Sequence, residues 1–295
     1  MKSICYFASY FTEPVLPYYV EVYLKELKKH FTEVVFLNSG NELAVEAVEF
    51  MRLHNISYQT EQNEGFDFGL WYKALQRSDT PAYDQVALVN DSCVLFKSLD
   101  EFMNWSKSDN ADFQGMTFSE SIAPHLQSYF LLINKRAMNH VFDYFTKNAV
   151  FKTIGEVILN YEVGLSTYLL AQGMKMAAFV DNNGYRGEFS PYYQCVEYHI
   201  EKGIPLIKKK ILFSSYRKEE LFTLARMNFR IGPSHYIKLI KKRNNDLILD
   251  FEKLVSAPGI KPGIFMKLQY ETTRIGIVIL HLFIKKKVSH VSPTH

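Results

Sequence analysis

Short apolar runs alternate with amphipathic helical patterns from residue 4 to about residue 173 of the chain. The apolar runs predict strands at 4–8, 34–37, 57–59, 85–89, 112–117 and 128–133. Between them, apolar residues at helical spacing predict helices at 14–30, 42–54, 67–76, 99–107 and 157–172. Because strand, helix and strand in succession favour parallel strands joined by a right-handed crossover, the pattern predicts an α/β fold with a mostly parallel central sheet flanked by helices.

The pattern changes near residue 200. Basic clusters at 208–210, 241–243 and 285–287 separate short apolar helices, and Pro-Gly pairs at 258–259 and 262–263 interrupt them. We therefore predict an α/β domain over residues 1–200 and a helical, basic C-terminal region over residues 201–295. The apolar run at 275–284, followed by three lysines, suits a membrane interface but is too short to span a bilayer. Packing of this run against the body of the protein is an equally consistent interpretation.

Composition narrows the class of protein. The 295 residues are 47% hydrophobic and 22% charged, which is ordinary for a globular protein and argues against disorder. A formal net charge of +3, from 34 basic and 31 acidic residues, argues against a general nucleic-acid binder. Cys5, Cys93 and Cys195 lack metal-binding spacing and favour buried thiols in a reducing cytoplasm. No signal peptide or membrane span is predicted, so we expect a cytoplasmic protein.

Polar side chains directly follow the predicted strand at 85–89. Asn90, Asp91 and Ser92 come after the apolar run, and open α/β sheets hold their ligands beyond the carboxyl ends of such strands. Mg²⁺ prefers oxygen ligands and commonly takes one or two carboxylates together with substrate phosphates. Asp91 is therefore a candidate ligand for a divalent cation, Mg²⁺ or Mn²⁺, with Asn90 and Ser92 beside it. The alternative is a turn acid that caps the following segment.

A glycine-punctuated loop precedes the third predicted helix. Gly65 and Gly69 flank Asp67, so the backbone can approach a ligand while one acid reaches it. We interpret Asn63 and Asp67 as candidates for binding a nucleotide, which the two glycines would admit. The alternative is a loop that only caps the helix, because an aspartate near a helix N-terminus complements the helix dipole. Trp71 is expected to lie in the core beneath this loop.

Four motifs in this order resemble those of a known family. They are Asn-x-Gly-x-Asp-x-Gly from residue 63 with a tryptophan at 71, LVNDS at 88–92, HLQSYF at 125–130 and EVGLS at 162–166. Together they resemble the rhamnan synthesis protein F family of bacterial glycosyltransferases, over roughly residues 1–240. The last motif also resembles a segment of the inverting family 2 glycosyltransferases with the GT-A fold. The resemblance implies a GT-A-like fold and a nucleotide-sugar-binding, catalytic domain over residues 1–200.

The resemblance also implies roles for residues further along the chain. It places His125, Gln127 and Ser128 on the sugar or acceptor side of the cleft, where amide and hydroxyl groups suit recognition of a polyol. For His125, a structural histidine before a strand is the alternative interpretation. Glu162 matches the base that takes the acceptor's proton in an inverting displacement, and it is the polar residue on an otherwise apolar helical face. The alternative for Glu162 is a helix acid favoured by the dipole.

The resemblance implies a glycosyltransferase that moves L-rhamnose from dTDP-L-rhamnose, with inversion, onto a bacterial cell-surface polysaccharide such as an O-antigen or onto a lipid-linked glycan. Glu162 and Asp91 are the predicted catalytic residues. The expected partners are the donor, the glycan acceptor and an anionic membrane surface, which would place the protein peripherally on the inner face of the plasma membrane. One alternative is a catalytically inactive, nucleotide-sugar-binding scaffold of a polysaccharide synthesis complex. Another is a nucleotidyltransferase, against which the lack of a Gly-rich phosphate loop with its lysine argues.

Overall fold

The structure is a computed structural model that describes residues 2–11, 13–78, 82–120, 122–148, 151–181, 196–212, 233–243 and 246–256. Cys195 and the predicted interfacial run at 275–287 lie outside the described residues. Among the helices that the structure describes, none is long and apolar enough to cross a bilayer.

The described strands form one large sheet of eight strands and a small sheet of two. In chain order they are β1 (Ser3–Ser9), β2 (Glu33–Asn38), β3 (Ser57–Thr60), β4 (Gln85–Asn90), β5 (Cys93–Leu95), β6 (Phe113–Ser119), β7 (His125–Leu126), β8 (Phe130–Asn134), β9 (Met176–Val180) and β10 (Leu206–Lys208). The large sheet has the order β3-β2-β1-β4-β8-β6-β7, with β9 also paired to β6, and β10 pairs with β5. The first four strands in this order run parallel, whereas β8 is antiparallel to both its neighbours. The predicted α/β fold with a mostly parallel central sheet is confirmed.

Helices pack against both faces of the large sheet. In chain order they are α1 (Tyr18–His30), α2 (Val45–Leu53), α3 (Phe66–Arg77), α4 (Asp100–Ser108), α5 (Lys135–Lys147), α6 (Ile154–Val157), α7 (Gly164–Ala171), α8 (Val196–Glu201), α9 (Lys209–Leu212), α10 (Pro233–Arg243) and α11 (Phe251–Ser256). A π-helical segment, Ile158–Val163, joins α6 to α7. The parallel pairing of β1 with β2, which α1 connects, confirms the predicted parallel arrangement of these strands.

The core consists of two apolar clusters, one on each face of the sheet. Every residue of β1 is buried, and its side chains alternate between the clusters, with Phe7 in one and Tyr6 in the other. Trp71 is fully buried in the second cluster, which confirms its predicted core position. Apolar residues between 196 and 254 belong to the first cluster, together with residues of β1 and α1. This part of the C-terminal region therefore packs on the sheet, and the domain boundary near residue 200 stays a prediction.

Several local features differ from the predicted elements, and strands β7 and β9 were not predicted. Helix α1 begins at Tyr18 instead of residue 14, because Pro17 precedes it in an extended conformation. Strand β8 begins at Phe130, so Ser128 lies in the turn before the strand. Helix α5 was not predicted, although its buried residues recur at helical spacing.

Candidate functional site

The carboxyl end of β4 brings an acid and a lysine together. Nζ of Lys209 donates to Oδ2 of Asp91 at 2.8 Å, and the hydroxyl of Tyr19 donates to the same oxygen at 3.4 Å. The lysine also donates to the Tyr19 hydroxyl at 3.0 Å. Burial alone would lower the pKa of Lys209, but Asp91 and Tyr19 outweigh it and raise the pKa, so the lysine stays charged. Asp91 is therefore paired with a cation of the chain itself.

Asn90 ties the end of β4 to the loop before α3. Its side chain is buried, and its Nδ2 donates to Oδ2 of Asp67 at 2.7 Å. Its Oδ1 accepts hydrogen bonds from the backbone N–H of Ser92 at 3.1 Å and from the Ser92 hydroxyl at 2.6 Å. Nζ of Lys208 donates to the same hydroxyl at 3.0 Å. These contacts form one cluster, which we call the strand-end cluster: Asp67, Asn90, Asp91 and Ser92. Lys208 and Lys209 contact its residues.

Asp67 titrates within this cluster. Burial raises its pKa most strongly, and the neighbouring charge of Asp91 raises it further, to about 7. The charges of Lys208 and Lys209 and the hydrogen bond from Asn90 act in the opposite direction. At neutral pH, Asp67 is therefore present in both its protonated and its ionised form.

The glycine loop before α3 lines a cleft. Gly65 (φ 76°) and Phe66 (φ 56°) both have left-handed backbone conformations, and Gly65 is the N-cap of α3. A Cβ atom at Gly69 would collide with the carbonyl oxygen of Glu64, so this glycine lets the loop pack onto the helix. A cleft of about 460 Å³ opens here. It is lined by Asn63, Glu64, Gly65, Phe66, Phe151 and Lys152.

A second cluster surrounds Glu162. The backbone N–H of Ser128 donates to Oε2 of Glu162 at 3.1 Å, and the Ser128 hydroxyl donates to the same oxygen. Nε2 of His125 lies 3.5 Å from Oε1, while its Nδ1 contacts the carbonyl of Ala123 at 2.7 Å. Burial alone would raise the pKa of Glu162, but His125 and Ser128 outweigh it and hold the pKa below its ordinary value. Glu162 is therefore a fixed, ionised carboxylate at neutral pH, and its side chain keeps 18% exposure.

The backbone that carries Glu162 is π-helical, a rare form that often occurs at functional sites. The hydroxyl of Tyr144 donates to the carbonyl oxygen of Asn160, one turn before the following helix. A Cβ atom at Gly164 would collide with that hydroxyl, so the glycine leaves room for it. Tyr144 and Gly164 together support the local backbone that aims Glu162 at Ser128.

Tyr129 connects the two clusters, because it directly follows Ser128, which donates to Glu162. Nζ of Lys208 is 4.9 Å from the centre of its ring. Burial raises the pKa of the Tyr129 hydroxyl, and Cys93 and the charge of Glu162 add to that increase. Thr117 contacts the Tyr129 hydroxyl at 2.9 Å and donates to Oε1 of Gln127 at 2.8 Å. Gln127, the residue before Ser128, is thereby fixed by Thr117.

A group of potential metal ligands lies elsewhere. One ligand atom each from Glu26, His30 and Asp100 lies within 4.8 Å of the others, so this group could hold a metal ion. Glu26 is seven residues beyond Tyr19 in α1, about 10 Å along the helix axis. Its carboxylate already accepts the backbone N–H of Leu99 at 2.9 Å, which anchors the start of α4. Among the described residues, the strand-end cluster contains no such group of three ligands.

The structure thus brings the predicted residues together in two clusters and one cleft. Lys208, Lys209 and Tyr19 complete the strand-end cluster, and the sequence had not indicated them as site residues. The basic run at 208–210 was visible, but it was compatible with a solvated helix face or a lipid-facing patch. Pairing of β10 with β5 is what brings Lys208 next to Cys93 and hence to the end of β4.

Comparison with known proteins gives a family match. The family model described as rhamnan synthesis protein F matches residues 35–285. No curated protein is detectably similar to the chain in sequence. A truncated S. aureus TarS structure (residues 1–349) is 12% identical, with 81% of this chain and 69% of that chain covered and a TM-score of 0.41.

Two further solved structures are similar at the same level. A putative nucleotide-diphospho-sugar transferase from Desulfovibrio desulfuricans G20 is 14% identical, with 82% and 98% of the two chains covered and a TM-score of 0.40. The glycosyltransferase GlyE from Streptococcus pneumoniae TIGR4 is 12% identical, with 82% and 64% covered and a TM-score of 0.38. Because these TM-scores are low, the assignment of a family rests on the family model.

Proposed function

Because the chain belongs to the rhamnan synthesis protein F family, we propose that it transfers a sugar from a nucleoside-diphosphate donor to a bacterial surface glycan. The proposed donor is dTDP-L-rhamnose, and the proposed acceptor is a growing polysaccharide or a lipid-linked glycan. Transfer inverts the anomeric carbon. The observation that carries the proposal is an ionised Glu162 held by Ser128 and His125, with the ring of the next residue, Tyr129, against Lys208 at the strand-end cluster.

Glu162 is the proposed base. The acceptor hydroxyl attacks the anomeric carbon, the bond from that carbon to the diphosphate oxygen breaks, and Glu162 takes the hydroxyl proton. Hydrogen bonds from Ser128 and the contact with His125 fix the carboxylate in one orientation. Such fixation matters because a displaced reacting group slows transfer steeply. We place Gln127 beside them, in the wall that contacts the sugar or the acceptor.

The donor is proposed to bind at the glycine loop and the strand-end cluster. The cleft of about 460 Å³ has the size of a small-molecule site, and Phe66 and Phe151 give it apolar walls. Asn63 and Asp67 would bind the base or the ribose, and Gly65 lets the backbone come close. The diphosphate would then lie near Asp91, at the end of β4.

The diphosphate needs positive charge in order to leave. A divalent cation at Asp91, as predicted from the sequence, is one source. However, Oδ2 of Asp91 accepts from Lys209, and Oδ1 of Asn90 already accepts two hydrogen bonds from Ser92. These residues fit a site completed by lysine better than one completed by Mg²⁺, which takes several oxygen ligands at close range. We therefore assign no step to a cation.

We also propose that the enzyme is peripheral on the inner face of the plasma membrane, with residues 201–295 contributing to this placement. A lipid-linked acceptor lies in the membrane, so an enzyme resting on the leaflet would hold its cleft near the acceptor. Residues 1–200 are proposed to carry the base and the nucleotide loop. Lys208 and Lys209 bring the following region into the same site.

Turnover of a panel of nucleotide sugars tests the proposal. Purified protein is incubated with each donor and a lipid-linked acceptor, and released nucleoside diphosphate and glycosylated product are measured by mass spectrometry. We expect dTDP-L-rhamnose to be consumed fastest, and nuclear magnetic resonance of the product to show the inverted anomer. A folded protein that binds nucleotide but turns over none of the donors would refute transfer and favour the scaffold alternative. A retained anomer would refute the direct displacement.

A further inference from the structure

The cation nearest to Asp91 in the described structure is an ammonium group. Nζ of Lys209 lies 2.8 Å from Oδ2 of Asp91, and the side chains keep 28% and 13% exposure, respectively. The pair is therefore half-buried but still reachable by a ligand. Burial alone would lower the pKa of Lys209, yet Asp91 and Tyr19 raise it, so the lysine carries its charge at any pH relevant to the cell.

Lys208, the preceding residue, brings a second ammonium group to the end of β4. Nζ of Lys208 donates to the hydroxyl of Ser92 at 3.0 Å and lies 4.9 Å from the ring centre of Tyr129. Neighbouring residues in a strand point to opposite faces. Here β10 ends at Lys208 and α9 begins at Lys209, so the change of backbone conformation lets both side chains reach the same sheet edge.

The backbone fixes this arrangement. Lys208 is in register with Cys93 in the antiparallel pair of β10 and β5. The N–H of Lys209 donates to the carbonyl oxygen of Ser92 at 2.9 Å. Both ammonium groups also act on the charge of Asp67. Two cations from a distant part of the chain are thus held among the acids that the sequence assigns to the nucleotide sugar.

We propose that Lys208 and Lys209 bind the diphosphate of the donor and supply the positive charge that a divalent cation at Asp91 would otherwise supply. This inference rests on the proposed nucleotide-sugar transfer and specifies how the leaving group is held. Asp91 then orients Lys209 instead of binding a metal. The ammonium groups form charge-assisted hydrogen bonds to phosphate oxygens, which are stronger than those between neutral groups.

Two rival explanations make different predictions. If the pair of Lys209 and Asp91 is only a structural ion pair, removal of the lysine changes stability but not diphosphate binding. If a metal displaces Lys209 when the donor arrives, binding of a diphosphate requires Mg²⁺ or Mn²⁺. Our proposal requires that the protein binds a diphosphate without a metal ion. It also requires that a metal ion can bind Asp91 once Lys209 has been removed.

Calorimetric titration with inorganic pyrophosphate and with dTDP distinguishes these cases. We expect the parent protein to bind pyrophosphate in EDTA, where no divalent cation is available to the site. Lys209→Gln should weaken binding in EDTA on the order of 10-fold or more, and Mg²⁺ should restore part of it through the freed Asp91. Lys208→Gln should weaken binding to a similar degree, without rescue by Mg²⁺.

Matched variants separate charge from folding. Lys107→Gln removes one lysine from the exposed last turn of α4 and should bind pyrophosphate like the parent. Lys209→Arg keeps the charge and should retain most of the binding. Thermal unfolding identifies any variant that does not fold. If Lys209→Gln is one of these, Lys208→Gln and the metal titration of the parent decide the question.

Three results would overturn the proposal. They are pyrophosphate binding by the parent only in the presence of Mg²⁺ or Mn²⁺, no binding under either condition, and binding by a folded Lys208→Gln or Lys209→Gln protein that equals the parent's. None of these depends on the sugar or the base of the donor. Failure of the lysine proposal is therefore distinct from failure of sugar transfer, which the donor panel measures.

Discussion

Replacing Asp67 with asparagine should change how the stability of the protein depends on pH. Burial and the charge of Asp91 raise the pKa of Asp67 from 3.8 to about 7. The folded protein therefore keeps this proton up to about pH 7, whereas the unfolded chain loses it near 3.8. Between these values a rise in pH favours the unfolded chain, so the free energy of unfolding falls across this window and levels off above it. Asparagine has no proton to lose, and its oxygen can still accept the hydrogen bond from Asn90.

The size of the effect follows from the pKa. Each pH unit between the two pKa values is worth about 1.4 kcal/mol, so the interval from about pH 4.5 to about 7 corresponds to about 3.4 kcal/mol. Asp67 is half-buried, and solvent screening reduces the interaction of partly exposed charges. We therefore expect roughly half of that value. The stability of Asp67→Asn relative to the parent should increase by about 2 kcal/mol between about pH 4.5 and about pH 8.

Urea unfolding followed by circular dichroism measures this difference. The free energy of unfolding is determined for both proteins at several pH values, and unchanged slopes against urea show that both unfold alike. Asp143→Asn, on the exposed side of α5, is the matched control and should follow the parent at every pH. If the curves of Asp67→Asn and the parent ran parallel across the window, Asp67 would not hold its proton in the folded protein, and the reasoning would be refuted.

Three further predictions concern catalysis and the C-terminal tail. Glu162→Gln should keep donor binding but slow transfer on the order of 10²- to 10⁴-fold, measured at saturating substrates, with the exposed Glu156→Gln as control. Turnover of Glu162→Gln within a few-fold of the parent would show that another residue is the base. Gly164→Ala should displace the Tyr144 hydroxyl and slow transfer on the order of 10-fold or more at unchanged dTDP affinity, and adding Tyr144→Phe, which removes that hydroxyl, should restore part of the rate. Truncation after Glu271 should reduce sedimentation with anionic vesicles but not dTDP affinity; full vesicle binding by the truncated protein would show that the tail does not anchor it.

Local patterns were sufficient to predict six of the eight described strands of the large sheet, all except β7 and β9. The apolar run of β4 is buried along its whole length, and it ends at Asn90 as the abrupt change to polar residues indicates. The left-handed Gly65 and the buried Trp71 follow from the same local logic, because glycine adopts a positive φ without steric cost and Trp71 lies on the apolar face of its helix. The buried residues of α5 also recur at helical spacing, so the sequence is sufficient to predict this helix as well.

Contacts between distant segments could not be predicted in the same way. Lys209 lies 118 residues after Asp91, and nothing in the local pattern of either segment indicates that they meet. Their contact depends on the register of β10 with β5, two strands of three residues each. The π-helical turn at Glu162 is a further example, because it depends on a tyrosine from α5 and a glycine that admits its hydroxyl.

The protonation of Asp67 changes the balance between the lysines and the carboxylates of the strand-end cluster. When Asp67 is protonated, the ammonium groups of Lys208 and Lys209 face one carboxylate, that of Asp91, and the cluster has an excess of positive charge. When Asp67 ionises, two ammonium groups face two carboxylates and the excess disappears. A diphosphate is attracted by the first state more than by the second. Because burial and the charge of Asp91 raise the pKa of Asp67 to about 7, the cluster carries more positive charge below that pH than above it.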